Sequence, residues 1–289
     1  MNQIKLFIEL TRLKRPIGFM LLFWPCLWGL TLVYDFNSDL IIYFFYSALF
    51  FSGSILMRSA GCIVNDIADK NFDKKVKRTK NRPIASGKVS IKLASAYALS
   101  LCVIAFLVLI NFNHFTILMA LISMPLAFTY PLMKRITYWP QLFLGITFNY
   151  GLILAWISIS NELSIIPIIF YLGAIFWTLG YDTIYGFQDI KDDEIIGVKS
   201  TSIKFKYEPK KFILFCYSIF IISLFLIGFL MSFELIYFLF LIFPIYHLLI
   251  FQIKSLDINK PDSCLMKFKS NNLLGFFIFI NILIGNIFI

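Results

Sequence analysis

The sequence predicts an all-α membrane protein that crosses the bilayer about nine times, and three observations carry that expectation. Apolar residues make up 60% of the 289 positions, while charged residues make up only 15%. Mean hydropathy is +0.82, outside the range of a soluble domain. The apolar residues fall in long runs, and the basic residues fall almost entirely between alternate pairs of those runs. Each spanning helix uses about 20 apolar residues, so a chain of 33.6 kDa holds on the order of eight to ten spans and no separate soluble domain. Residues 1–289 therefore read as one membrane domain.

Runs wide enough to span lie at 17–34, 40–64, 93–110, 115–132, 139–158, 165–184, 212–231, 235–251 and 273–289. Of the 26 Lys and Arg residues, all but Arg58 lie in the N-terminal segment or in the connections after the second, fourth, sixth and eighth runs. The opposite connections carry none. The positive-inside rule then puts the N-terminus and the long loops in the cytoplasm and the C-terminus outside. The first run lacks a small-residue cleavage site, so an uncleaved, bacterial-type inner-membrane protein is expected.

The net charge of +10 would suggest nucleic acid as partner for a soluble chain. Here its placement makes it a matter of topology and headgroup contact instead, so the partner is the lipid bilayer and not nucleic acid. Cys26, Cys62, Cys102, Cys216 and Cys264 are scattered without a framework spacing and read as free thiols. With His114 and His247 as the only histidines, an imidazole or thiolate metal site is not expected, and any metal is a hard, oxygen-seeking one.

Two stretches break the basic pattern by concentrating acids. In Asn65-Asp66-Ile67-Ala68-Asp69-Lys70-Asn71-Phe72-Asp73, a helix would place Asn65, Asp69 and Asp73 on one face, with Asp66 a turn before Asp69. In Tyr181-Asp182-Thr183-Ile184-Tyr185-Gly186-Phe187-Gln188-Asp189-Ile190-Lys191-Asp192-Asp193, the spacing puts Asp182, Asp189 and Asp193 on one face if the helix continues. Both stretches end helices on the same side of the membrane, so the clusters can confront each other across a cavity. Like charges so arranged repel unless a cation joins them. Facing carboxylates suit Mg²⁺, which takes one or two of them and completes its shell with water and substrate phosphate.

Lys74, Lys75, Lys77, Arg78, Lys80 and Arg82 follow the first cluster, a density that matches a polyanion such as a lipid-linked diphosphate. Arg58, inside the second span and two turns before Asn65, is a functional candidate because an intramembrane guanidinium is costly. It is read either as the partner of a cluster acid or as the bidentate site for a substrate carboxylate. A transporter of an anionic metabolite would spread polar groups deep through several helices, whereas these acids crowd at one face. A catalytically inert scaffold would not hold so many carboxylates against their repulsion.

Arg12-Leu13-Lys14-Arg15-Pro16-Ile17-Gly18 with Trp24-Pro25, then Ser59 to Asp66, Lys77 to Pro83, Tyr130-Pro131-Leu132-Met133-Lys134-Arg135, Tyr181-Asp182-Thr183 and Gly197 to Thr201 resemble the UbiA superfamily of membrane prenyltransferases, and within it the branch acting on 4-hydroxybenzoate. The likeness covers roughly the first 200 residues, while the last three spans add only hydrophobicity. It implies nine transmembrane helices surrounding a central cavity that holds Mg²⁺ and a polyprenyl diphosphate. It implies metal ligation by Asn65, Asp66, Asp69 and Asp73 with Asp182, Asp189 and Asp193. Substrate would be bound by Arg78 and Arg82 at the diphosphate, with Asp66 and Tyr181 beside them and Arg58 at the hydroxybenzoate carboxylate. Tyr130 and Lys134, with Asp69 and Asp189, would serve catalysis near the leaving group. The same likeness names 1,4-dihydroxy-2-naphthoate and homogentisate as rival acceptors and the other ubiquinone-biosynthesis enzymes as candidate partners. Gly186 departs from the alanine typical of relatives.

Overall fold

The structure, a computed structural model, describes residues 3–288, and among these the regular elements are all helical. A short helix α1 (Gln3–Thr11) precedes α2 (Ile17–Val33) and the long α3 (Leu40–Ala68). One further turn, α4 (Lys70–Asp73), leads through a basic loop to α5 (Ile91–Leu109) and α6 (His114–Thr129), which continues as a 3₁₀ turn over Tyr130–Arg135. Then follow α7 (Pro140–Ser160), α8 (Ile165–Gly186) and two short loop helices, α9 (Ile190–Ile196) and α10 (Thr201–Lys204). The chain ends with α11 (Pro209–Leu230), a composite span of α12 (Leu235–Phe240), α13 (Ile242–Tyr246) and a π-helical stretch His247–Lys254, and α14 (Pro261–Ile287).

Eight of these helical segments are long and apolar enough to cross a membrane, and α2, at 17 residues, is the ninth and shortest. The helix starts follow local chemistry. Asp39, Ser90, Asn113 and Ser164 accept backbone N–H groups at the starts of α3, α5, α6 and α8. Proline opens α7, α11 and α14, where its missing donor is not needed. The sequence placed the start of the last span at residue 273. The helix begins twelve residues earlier because Pro261 initiates it, and its first turns carry Lys267, Lys269 and Asn271, which hydropathy discounts. Ile289 lies outside the described residues. The five cysteines are free.

α2 packs against α7, α14 and α3, and α8 packs against α7 and α11. An aromatic stack at the centre joins Trp28 of α2, Phe170 and Trp177 of α8 and Phe220 of α11, with ring centroids 5.0 to 5.8 Å apart along Phe170, Trp28, Trp177 and Phe220. The α2–α7 crossing is close enough that a Cβ on Gly29 would stand 2.3 Å from the carbonyl oxygen of Leu152. Small residues at such crossings let backbones approach where the bilayer supplies no hydrophobic drive. Gly29→Val should therefore lower the melting temperature of the detergent-solubilised protein by several degrees, measured by differential scanning fluorimetry. An unchanged melting temperature would show that the crossing can relax.

Candidate active site

At the loop-rich end of the bundle, a cavity of about 270 Å³ lies between the end of α3, the 3₁₀ turn after α6, the start of α7 and the end of α8. The first acid cluster reaches it although α3 breaks at Asp69, whose φ of −93° and ψ of 3° lie outside the helix. Hydrogen bonds from Asp69 N to Asn65 O at 2.9 Å and from Asp73 N to Asp69 O at 2.8 Å carry the helical register over the break. Asn65, Asp69 and Asp73 thus all line the cavity.

In the second cluster the helix does not continue. α8 ends at Gly186, and three successive i to i+3 turns lead to Asp189, which starts α9. Asp182, Asp189 and Asp193 nonetheless line the same cavity. A Cβ on Gly186 would stand 2.3 Å from Ser202 Oγ, and that hydroxyl donates to Thr183 O at 2.7 Å. The serine thus fills the space an alanine methyl would take. The same loop is tied to α7 by Gln141, which accepts from Thr201 N at 3.0 Å, and to α8 by the 2.6 Å contact of the Thr183 and Thr201 hydroxyls.

Basic side chains from separate segments are threaded between the acids. Lys134, on the 3₁₀ turn, donates to Asp69 Oδ2. Arg78 Nε donates to both oxygens of Asp189 at 2.8 and 2.9 Å, and Arg78 Nη1 reaches the Tyr185 hydroxyl at 3.3 Å. Arg82 Nη1 bridges Asp66 Oδ1 at 3.1 Å and Asp73 Oδ2 at 2.9 Å. These pairs are the strong, charge-assisted kind, and they lie in a partly dehydrated site.

The donor set left for a cation is all oxygen. Asp69 Oδ1 is buried without a hydrogen-bond donor, its nearest cation being Arg135 Nη2 at 4.0 Å. Among the described residues the Asp182 side chain makes no hydrogen bond or ion pair, and the charge acting on it is that of Arg58. Two carboxylates from facing clusters with open oxygens fit a hard divalent ion. Among the described residues no group of three or more acids, histidines or cysteines is gathered closely enough to hold an ion by itself, so Mg²⁺ here would need water and a ligand's phosphate to complete its shell.

Not every residue singled out in the sequence faces the cavity. Tyr130, Lys134, Arg78 and Arg82 line it, but Asp66, Arg58 and Tyr181 do not. Asp66 is 2% exposed and stands behind the wall, its Oδ1 shared by Arg82 and by Arg12 Nη2 at 2.5 Å. Tyr181 is packed into the aromatic core against Trp177 and Phe268. Arg58 makes no ion pair among the described residues. Its guanidinium lies over the Phe148 ring at 5.4 Å, and its Nε is buried without a partner. Arg12 is the site residue that sequence reasoning passed over. It follows α1 in a left-handed conformation, φ +55°, which turns it towards Asp66. Nothing local in the sequence separates it from Lys14 and Arg15.

Fold and cavity together define a polytopic membrane enzyme whose charged site lies at one end of a helix bundle. Residues 22–281 match the UbiA prenyltransferase family, and the chain belongs to it. It is 40% identical over 284 residues to the bovine mitochondrial 4-hydroxybenzoate polyprenyltransferase, a match covering 97% of this chain and 75% of that one. Identity to the 4-hydroxybenzoate geranyltransferase 2 of Lithospermum erythrorhizon is also 40%, over 99% of this chain and 92% of the relative. In fold the chain is similar to a UbiA homologue from Aeropyrum pernix, with a TM-score of 0.77 at 21% identity, covering 92% of this chain and 97% of that one. It is similar also to a homologue from Archaeoglobus fulgidus bound to GPP and Mg²⁺, with a TM-score of 0.70 at 17% identity, covering 96% and 99%.

Burial, and then the neighbouring charge of Asp189, push Asp193 up to about 6 from an ordinary 3.8. An aspartate with a raised folded pKa binds its proton more tightly folded than unfolded. Its ionisation therefore opposes folding, with nothing lost below about pH 4 and the full penalty present once the pH has risen through about 6. Asp193→Asn should raise the melting temperature by a few degrees at pH 7.5 and leave it unchanged near pH 4. Equal effects at both pH values would contradict the assignment.

Proposed function

We propose that the chain transfers a polyprenyl group from a polyprenyl diphosphate to the ring carbon ortho to the hydroxyl of 4-hydroxybenzoate, in a Mg²⁺-dependent step of ubiquinone biosynthesis. The observation that carries the reading is the facing of two acid clusters, with Lys134, Arg78 and Arg82 between them, in one cavity at the end of an apolar bundle. Cations alone would suit any phosphate, and acids alone any divalent ion. Both together suit a diphosphate carried by a metal. The relatives named for 4-hydroxybenzoate, at about 40% identity over nearly the whole chain, support the acceptor.

In this reading Asn65, Asp69 and Asp73 on one side and Asp182, Asp189 and Asp193 on the other hold Mg²⁺, which when bound neutralises the leaving diphosphate. Arg78 and Arg82 hold the diphosphate oxygens. Lys134 and Tyr130 stand by the leaving group, Lys134 exchanging its bond to Asp69 for one to the substrate. Asp66 belongs to the metal set only indirectly, since its carboxylate holds Arg12 and Arg82 in place. Arg58, which lies outside that cavity, takes the acceptor carboxylate in this reading, its guanidinium having no ion-pair partner among the described residues. Tyr185 lines the cavity beside Arg78, whose guanidinium lies over its ring.

The chain is a multi-pass membrane protein. Its charged cavity is proposed to face the cytoplasm, the side to which the basic loops assign it. The bacterial inner membrane is the proposed setting, although relatives from animals and from Dictyostelium discoideum are named as mitochondrial.

Purified protein incubated with polyprenyl diphosphate, 4-hydroxybenzoate and Mg²⁺ should yield 3-polyprenyl-4-hydroxybenzoate by mass spectrometry. Asp69→Ala and Asp189→Ala should each lower the rate at least ~100-fold while remaining folded in the membrane. Turnover only with 1,4-dihydroxy-2-naphthoate or homogentisate would overturn the acceptor, and wild-type rates in both variants would overturn the two-cluster site.

A further inference from the structure

The last helix, which as sequence contributes only hydrophobicity, makes a regular set of contacts towards the site. Three of its residues receive the N–H groups of buried tryptophans. Asn271 Oδ1 accepts from Trp177 Nε1 at 2.8 Å, Asn272 Oδ1 from Trp24 Nε1 at 3.0 Å, and Gly275 O from Trp28 Nε1 at 2.9 Å. With Phe268 these positions are spaced i, i+3, i+4 and i+7, one face of a helix. An indole N–H buried in an apolar bundle is expensive to leave unpaired, so these three bonds fix the height and rotation of α14 against α2 and α8.

That docking packs the Phe268 ring against Tyr185, which lines the charged cavity. Its centroid lies 4.4 Å from that of Tyr185 and 5.8 Å from that of Tyr181. Tyr185 in turn has the Arg78 guanidinium over its ring at 5.7 Å, and its hydroxyl accepts from Arg78 Nη1 at 3.3 Å. Arg78 is the cation that spans to Asp189. The contacts therefore run in an unbroken line from α14 through Phe268 and Tyr185 to Arg78. Removing Phe268 would take away the aromatic ring that packs on Tyr185.

We propose that Phe268 is a positioning residue for diphosphate binding, holding Tyr185 so that Arg78 is presented to the cavity. This rests on the reading of Arg78 as a diphosphate ligand. Phe268 touches no substrate, and it acts only through Tyr185.

Two readouts separate the outcomes. The first is modification of Arg78 by phenylglyoxal, followed by peptide mass spectrometry with the exposed Arg15 as internal reference. The second is the KM for each substrate. Phe268→Leu should speed Arg78 modification about threefold and raise KM for polyprenyl diphosphate about fivefold, the scale of one lost aromatic pair, with KM for 4-hydroxybenzoate unchanged. Phe268→Tyr should restore both, and in a Tyr185→Ala background Phe268→Leu should have no further effect. Unchanged Arg78 modification, an equal rise in both KM values, or effects that simply add in the double variant would each overturn the proposal. If Phe268→Leu does not fold, Phe268→Met and the Tyr185→Ala pair give the same comparison. If the wild type forms no prenylated product, the proposed function fails, while the labelling experiment still decides whether Phe268 holds Arg78.

Discussion

Carboxylates taken out of water at the end of an apolar bundle repel one another, and only cations or hydrogen-bond donors make their burial tolerable. In this protein those cations come from widely separated parts of the chain. Arg12 follows the first helix, Arg78 and Arg82 lie in the loop after α4, and Lys134 lies on the turn after α6. Together they tie three segments to aspartates of the two acid clusters. The electrostatic lattice therefore closes the end of the bundle and prepares the cavity in the same step. Because each of these four cations is paired with a carboxylate, an incoming anion with its own metal can exchange partners without leaving a charge bare.

Much of this was legible in the sequence, for physical reasons. Spans are long and uniformly apolar, so hydropathy finds them. Acids are so unusual in otherwise basic loops that Asp69, Asp73, Asp189 and Asp193 stand out without any structural knowledge. What escaped were features that depend on tertiary contact. Arg12 is one of three cations in a four-residue stretch, and only the left-handed turn after α1 selects it. The break at Asp69 and the turns before Asp189 leave no mark on the acid spacing, because the backbone bends while the carboxylates still converge. Asp66, conspicuous in the motif, is turned behind the wall by its two arginines.

The last third of the chain shows the same limit. Its helices look featureless by hydropathy, yet the Asn271, Asn272 and Gly275 face of α14 anchors three tryptophans. A polar residue in an apolar run lowers its hydropathy and blurs its start, which is why the helix begins earlier than the hydropathy of its first turns indicates. Those same residues give the bundle a defined packing that non-directional apolar contact would not supply.

The central claim is that both acid clusters act on one metal-borne diphosphate, and a binding measurement tests it without requiring turnover. Calorimetric titration of the purified protein with an unreactive prenyl thiolodiphosphate should show binding in Mg²⁺ that disappears with EDTA. Affinity should fall by at least ~10-fold in Asp69→Asn and in Asp189→Asn alike. Binding indifferent to EDTA, or a loss confined to one of the two clusters, would contradict the account.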